Sequence, residues 1–424
     1  MTLELDEAHR LLAEGDAPGA VRTLRPAAET APLSELAAVV ERAATIIGFD
    51  DLAAAAHGAV SAPEDPVALF HFGSECGERG LSFLAVPVLR TALGYAPGAP
   101  AVLTELAYAL ECEYRHGEAV DLLAEHDSAL RPWPHRYLLV FNAVLAGDIA
   151  RAREQFSRLP EPEDAQWQPA YERVRDMLRR AEIAAGATAL DQQDLRGWHF
   201  VLTGGYLATL SPYGFTAGMV GRWAYTQDSV ERIGQTLDRL ALVLAATDRH
   251  PRTVALLPGR DDRIVGLAAA DLLGIPAVPY TPESTDTLVV AYDLRTLDET
   301  LEPTLRERAD GRILYEHATC WTTPPLLNAD ISGFLHQTNV EPWGESLRIG
   351  DNGPETTPPD ERPEAEIAAE IRRADGTPDP GDGDAPPDPD DVFTSFVAAT
   401  RGAWPTGPRF AIRSPGPVRS SYFH

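Results

Sequence analysis

The chain contains no lysine: all 36 of its lysine-plus-arginine residues are arginine. That excludes a Walker-A lysine, a kinase strand lysine and a Schiff-base lysine. Any bound anion must be held by arginine, by backbone N–H groups or by a metal. Cysteine is scarce as well. Cys76, Cys112 and Cys320 stand far apart with no C-x-x-C, which fits reduced thiols and offers no zinc signature. The eleven histidines are scattered without an H-E-x-x-H pairing, so no metal site is expected. No apolar run approaches the ~18 residues that a membrane span needs. Met1 is followed at once by acidic, leucine-rich helical sequence, with no visible signal peptide; the expectation is a cytoplasmic protein. Positive charge is outnumbered, and the formal net charge is −28. Nucleic-acid backbones and anionic membranes repel such a chain and are not expected as partners.

What is present is a chain of 424 residues, 44% of them hydrophobic, enough for two or three domains. Prolines recur at Pro32, Pro66, Pro100 and Pro134, 34 residues apart. Between them a worn phrase repeats: LLAEGDAPGAVRTL, IIGFDDLAAAA, GERGLSFLAVPVL, EYRHGEAVDLL, VLAGDIARAREQF. Each reads as the end of one helix, a short turn and the start of the next. Leu103, Leu106, Ala107 and Leu110 show helical spacing, as do Leu138, Phe141, Val144 and Leu145.

This period, with Ala20, Ala54, Ala119 and Ala150 near the start of each second helix, resembles the tetratricopeptide repeat family; the family's early aromatic positions are mostly missing. Residues 166–187 would close the array as a charged end helix. The resemblance implies a stacked helical domain over 1–188 that binds a partner protein in a groove. His71, Glu75, Tyr108, Glu111, Tyr137 and Asn142 would line it, although any one of these taken singly reads more readily as packing or solvated surface.

From residue 189 the rhythm changes to α/β. WHFVLTGGYLATL reads as a strand and turn, SVERIGQTLDRLALVLAAT as an amphipathic helix, and TVALLP as a buried strand. GRDDRIVGLAAADLLG reads as a loop and helix stopping at Gly274. IPAVPY, TLVVAYD and GRILYEHA read as further strands, and LDETLEPTLRERA as a helix kinked at Pro303. Alternation predicts a parallel sheet covered on both faces over 189–350.

The order of these parts resembles the type I phosphoribosyltransferases. On 290–300 the resemblance keeps Asp293, Thr296 and Thr300 but puts Tyr292 in place of the first acid, Leu297 in place of a hydroxyl and Asp298 in place of a glycine. It implies that Asp293 would meet ribose hydroxyls and that Thr296 and Thr300 would help hold a phosphate. Asp298 and Glu299 oppose this. At ~5 Å and an effective dielectric of ~20, each would repel a unit of phosphate charge by roughly 3 kcal/mol. The cradle is therefore expected to be degenerate, giving a phosphoribosyltransferase-like (Rossmann-like) pseudoenzyme. In the other loop, Gly259, Arg260, Asp261, Asp262 and Arg263 would serve an anion or a divalent metal; Mg²⁺ enters only if an enzyme reading holds. The plainer alternative makes Asp262 a helix cap and pairs the arginines with nearby acids. Tyr206, Tyr213, Arg222 and Trp223 would form a lid or simply pack.

Residues 351–390 are dominated by proline, glycine and acids and are expected to be disordered or extended, with 363–373 transiently helical. Residues 391–424 read as a short helix and a basic, aromatic tail: Arg401, Trp404, Arg409, Phe410, Arg413, Arg419, Tyr422 and Phe423. The tail would dock back, bind a partner or fray. The leading expectation is an adaptor or regulator with a partner groove. The alternatives are a divergent transferase or hydrolase acting on a phosphorylated or nucleotide-like substrate through GRDDR and Asp293, and an assembly protein acting through its tail.

Overall fold

The computed structural model describes residues 3–350 and 353–420. Tyr422 and Phe423 of the tail lie outside the described residues. The chain forms two compact units, Met1–Val174 and Arg175–His424.

The first unit is helical: α1 (Leu3–Glu14), α2 (Ala17–Thr23), α3 (Leu33–Ile47), α4 (Asp50–Ser61), α5 (Pro66–Glu78), α6 (Ser82–Tyr95), α7 (Pro100–Cys112), α8 (His116–Glu125), α9 (Tyr137–Leu145) and α10 (Ile149–Ser157). Each long helix packs on the one before and the one after it, and α1 also meets α3, α5 meets α7, and α7 meets α9. The periodic prolines explain the helix starts. Pro66 and Pro100 occupy the first position of α5 and α7, and Pro32 caps α3, where a missing N–H costs nothing. The turns inside the helix pairs repeat one backbone conformation. Gly15, Gly48, Gly80 and Gly147 all have φ between 72° and 88°, and Tyr114 takes the same place at φ 56°.

Five residues after each of these turn positions stands an alanine: Ala20, Ala53, Ala85, Ala119 and Ala152. All but the half-buried Ala53 are fully buried. Two of the alanines expected inside, Ala54 and Ala150, are exposed instead. The turn, not the phrase around it, sets the register. The charged helix α11 (Gln168–Ala184) follows.

The second unit holds α12 (Leu195–Thr203), β1 (Tyr206–Leu207), β2 (Trp223–Gln227), α13 (Val230–Ala246), β3 (Thr253–Leu256), α14 (Arg260–Leu273), β4 (Ala277–Pro279), β5 (Thr287–Ala291), α15 (Glu302–Arg306), β6 (Ile313–Cys320) and β7 (Ile331–Val340). The hairpin of β8 (Ser346–Gly350) and β9 (Gly353–Thr357) comes next, then α16 (Glu364–Arg373) and α17 (Asp390–Thr400). Seven strands make one sheet in the order β4-β3-β5-β6-β7, with β1 and β2 pairing with successive stretches of β7, at 331–332 and 336–340. Every pairing in it is parallel. β5 and β6 are buried at every residue, as strands covered on both faces must be. α14 packs on β3, β5 and α16; α13 packs on β6, β7, α16 and α17.

Three expected elements differ. WHFVLTGG is the helix α12, not a strand. Asp194 accepts from Gly197 N at 2.8 Å to start it and Gly204, at φ 80°, stops it, and these caps outweigh the β-propensity of the residues between. The helix expected after β5 shrinks to a single 3₁₀ turn, Leu294–Thr296, and the five-residue α15. Pro303 sits at the start of α15 and not at a kink. The segment expected to be disordered contains β9 and α16, and α16 buries Ile367, Ala368 and Ile371. The tail is folded in: Arg409 is buried against Asp330, and Ile412 and Val418 are buried too.

Candidate functional site

The strand order reverses direction at β3. The chain passes from β3 through α14 to β4 on one side, while β5 lies on the other. In open parallel sheets the crevice at the carboxyl ends of such a strand pair is where ligands bind. The expected loops do meet there. The Asp262 carboxylate accepts from Tyr292 N at 2.8 Å, and burial pushes Asp262 up to about 6. Gly259 caps α14, and a Cβ on it would lie 2.5 Å from the Asp262 carboxylate, so a larger residue there would push that carboxylate aside.

Tyr292, at the end of β5, is tied into a buried network. Its hydroxyl donates to Asp228 Oδ2 at 2.8 Å and accepts from Asn339 Nδ2 at 2.8 Å. The same Asp228 oxygen lies 2.7 Å from His317 Nε2, and His317 Nδ1 lies 2.9 Å from Thr236 Oγ1. Asp228 and His317 have side chains with no exposure at all. Burial and the Asp228 charge hold the Tyr292 phenol far above its ordinary value; it is a neutral donor. Trp343 covers this group, its ring 5.6 Å from Tyr292, and donates Nε1–H to Asp261 at 2.6 Å.

The remaining expected residues are also turned inward on their own chain. Asp293 accepts from Arg295 N at 2.9 Å and pairs with the Arg295 guanidinium at 2.6 Å. Thr296 Oγ1 donates to Asp293 O. Thr300 donates both N–H and Oγ1–H to Asp298 Oδ1, at 2.8 and 2.7 Å. Arg260 donates to the carbonyls of Asp360 and Arg362, and Arg263 to Glu364 at 2.8 Å. The pairing of an arginine with a nearby acid holds for Arg263. Asp262, by contrast, holds the neighbouring strand end and does not cap its own helix. Below them Glu316 is fully buried, accepting from Leu294 N and Thr319 Oγ1 at 2.8 and 2.6 Å. Burial, reinforced by the Asp293 charge, pushes its carboxyl up. His336 is pushed down to about 4 by burial.

Of the residues expected to form a lid, Tyr206 is buried, stacked 5.4 Å from Phe200. Arg222 is buried with its guanidinium 5.2 Å above Trp321. Tyr213 is exposed, and Trp223 packs edge-on against Phe334. Asp228, His317 and Asn339 were not anticipated. Asp228 directly follows β2, His317 is on β6 and Asn339 on β7; they are far apart in sequence, and no local pattern joins them.

In the helical unit, His71 and Tyr108 are exposed, while Glu75, paired with Arg79, and Glu111 are half-buried. Tyr137 and Asn142 are buried and cannot line an open groove. Tyr137 stacks between Trp133 and Phe141. Asn142 Oδ1 accepts from His116 Nδ1 at 2.9 Å, and its Nδ2 donates to Glu111 at 3.0 Å. Burial pushes Glu111 up to about 7 and His116 down. Comparison with protein-family models, with curated proteins and with solved structures found no significant match.

Proposed function

We propose that this protein is an adaptor or regulator. In this reading the helical unit is a tetratricopeptide-like repeat array that holds a partner protein, and the α/β unit is a phosphoribosyltransferase-like fold without transferase activity. The repeated turn at 15, 48, 80, 114 and 147, each followed by its alanine, supports the first half. One observation carries the second: Arg260 and Arg263, the cations best placed to take an anion at the switch point, already serve carbonyls and a carboxylate of residues 360–364. A phosphate there would have to displace those acceptors. Such a site holds its ligand too weakly to organise transfer.

Calorimetry of the full chain with phosphoribosyl pyrophosphate and Mg²⁺ tests this half. The expected outcome is no saturable heat up to ~1 mM, equivalent to less than about 4 kcal/mol of binding. Tight binding that Arg260→Ala and Asp293→Ala abolish would instead support the second reading, a divergent transferase or hydrolase. That reading draws on the raised Asp262 and Glu316 carboxyls, both of which feel the charge of Asp293, since perturbed acids gather at catalytic sites. For the adaptor half, a partner recovered on the immobilised full chain should be lost when His71→Ala and Tyr108→Ala are combined.

A further inference from the structure

The acidic segment between α16 and α17 is anchored at both ends and held in the middle by a series of polar contacts. Ile371 of α16 and Phe393 of α17 are buried, yet no residue from 372 to 392 is buried. Its contacts have a consistent sense. Tyr213 Oη donates to Asp379 at 2.7 Å, Gly214 N to Asp382 at 2.8 Å and Thr216 Oγ1 to Asp384 at 2.6 Å. Arg196 grips Asp388 with two N–H groups at 2.7 and 2.9 Å, and Arg239 reaches the same carboxylate. Among these contacts only Asp382 N donates the other way, to Pro212 O at 3.4 Å. The body supplies the donors and the segment supplies the carboxylates.

The fit is close as well as complementary. Gly381, at φ 70°, lies so near residue 212 that a Cβ would come 2.2 Å from Pro212 O. Beneath the segment is a cavity of about 320 Å³ whose body-side wall includes Thr209, Ser211, Trp223, Arg232, Gln235 and Arg239. With the segment lifted away, the Tyr213 and Thr216 hydroxyls, the Gly214 N–H and the Arg196 and Arg239 guanidiniums would lose the carboxylates of 379–388, on a chain of net charge −28. An island of donors of this kind suits an acidic ligand.

We propose that the face built from residues 209–216, Arg196, Arg232 and Arg239 is a receptor for an acidic, proline-interrupted peptide, and that residues 376–388 are its intramolecular occupant. A partner carrying such a peptide competes with a tethered copy whose effective concentration is on the order of millimolar. Access therefore depends on weakening the tether's own carboxylate contacts.

The test uses the full chain carrying Asp379→Asn, Asp382→Asn, Asp384→Asn and Asp388→Asn, titrated with a fluorescent peptide of residues 376–391. It should bind the peptide at least about ten-fold more tightly than the natural chain does. Binding should weaken by about ten-fold or more between ~20 and ~300 mM salt. A peptide with asparagine at every aspartate should not bind. The proposal fails if the substituted chain, with its native near-ultraviolet dichroism intact, ignores the peptide or takes both peptides equally. If that chain does not fold, Asp379→Asn, Asp382→Asn and Asp384→Asn are combined with Asp388 retained. Hydrogen exchange over 376–386 should then quicken at least about ten-fold with α13 unchanged; unaltered exchange there overturns the proposal.

Discussion

Gly48 ends α3 at φ 88°, with nothing within 4 Å of where a Cβ would stand. Its conformation alone is at stake, so Gly48→Ala should cost about 1–2 kcal/mol, read as a lowered urea midpoint at unchanged slope. Glu111 makes a different kind of prediction. Its folded-state carboxyl is raised to about 7 from an ordinary value near 4.5. Between these two pH values the folded chain keeps a proton that the unfolded chain releases, so stability falls as pH rises through that window. Glu111→Gln removes the penalty. It should leave stability nearly unchanged at pH 4 and raise it by roughly 1–2 kcal/mol at pH 8, less than the ~3 that 2.5 pH units would give at a fully dry site. Equal effects at both pH values would refute this account of Glu111.

At the scale of elements, much of the second unit's cohesion comes from segments late in the chain. Arg409 donates to Leu305 O at 2.7 Å and pairs with Asp330, which Arg308 also holds at 3.0 Å; neither Arg409 nor Asp330 has an exposed side-chain atom. Arg409→Ala leaves the Asp330 carboxylate with only Arg308 and the Leu314 N–H in a dry site and should cost about 3–5 kcal/mol, seen as a lower melting temperature. Arg409→Lys should recover only part of it, because one ammonium cannot serve both the carbonyl and the carboxylate as the planar guanidinium does. The caps of α12 illustrate the same scale. Asp194 and Gly204 decide a helix that its own β-branched and aromatic residues would not. Pro303 shows the reverse, since a proline expected to bend a long helix instead opens a short one.

For the whole molecule, the net charge of −28 implies self-repulsion. Raising salt from ~10 to ~150 mM screens it over a Debye length that shrinks to about 8 Å, and the melting temperature should rise. The carboxylate contacts of residues 379–388 are attractive and weaken under the same screening, so their hydrogen exchange should quicken while the rest of the molecule gains protection. Opposite responses within one chain separate the two electrostatic effects; a uniform response would argue against a segment held chiefly by charge.

Sequence by itself determined what depends on neighbours along the chain. The 34-residue period, the helix starts at Pro66 and Pro100, the stop at Gly274, and the strands at 253–256, 287–291 and 313–320 all follow from local conformational preference and apolar spacing. The absence of lysine and the acids at 298 and 299 likewise limited the chemistry before any fold was known. Only tertiary structure decided which alanines point inward, because the turn conformation at 15, 48, 80, 114 and 147 sets that register. It alone brought Asp228, Tyr292, His317 and Asn339 together, since they lie on or directly after different strands. It also decided that Arg260, Arg263 and the aspartates of 379–388 meet partners within the chain: the pairing of charges depends on distance in space, which separation in sequence does not reveal.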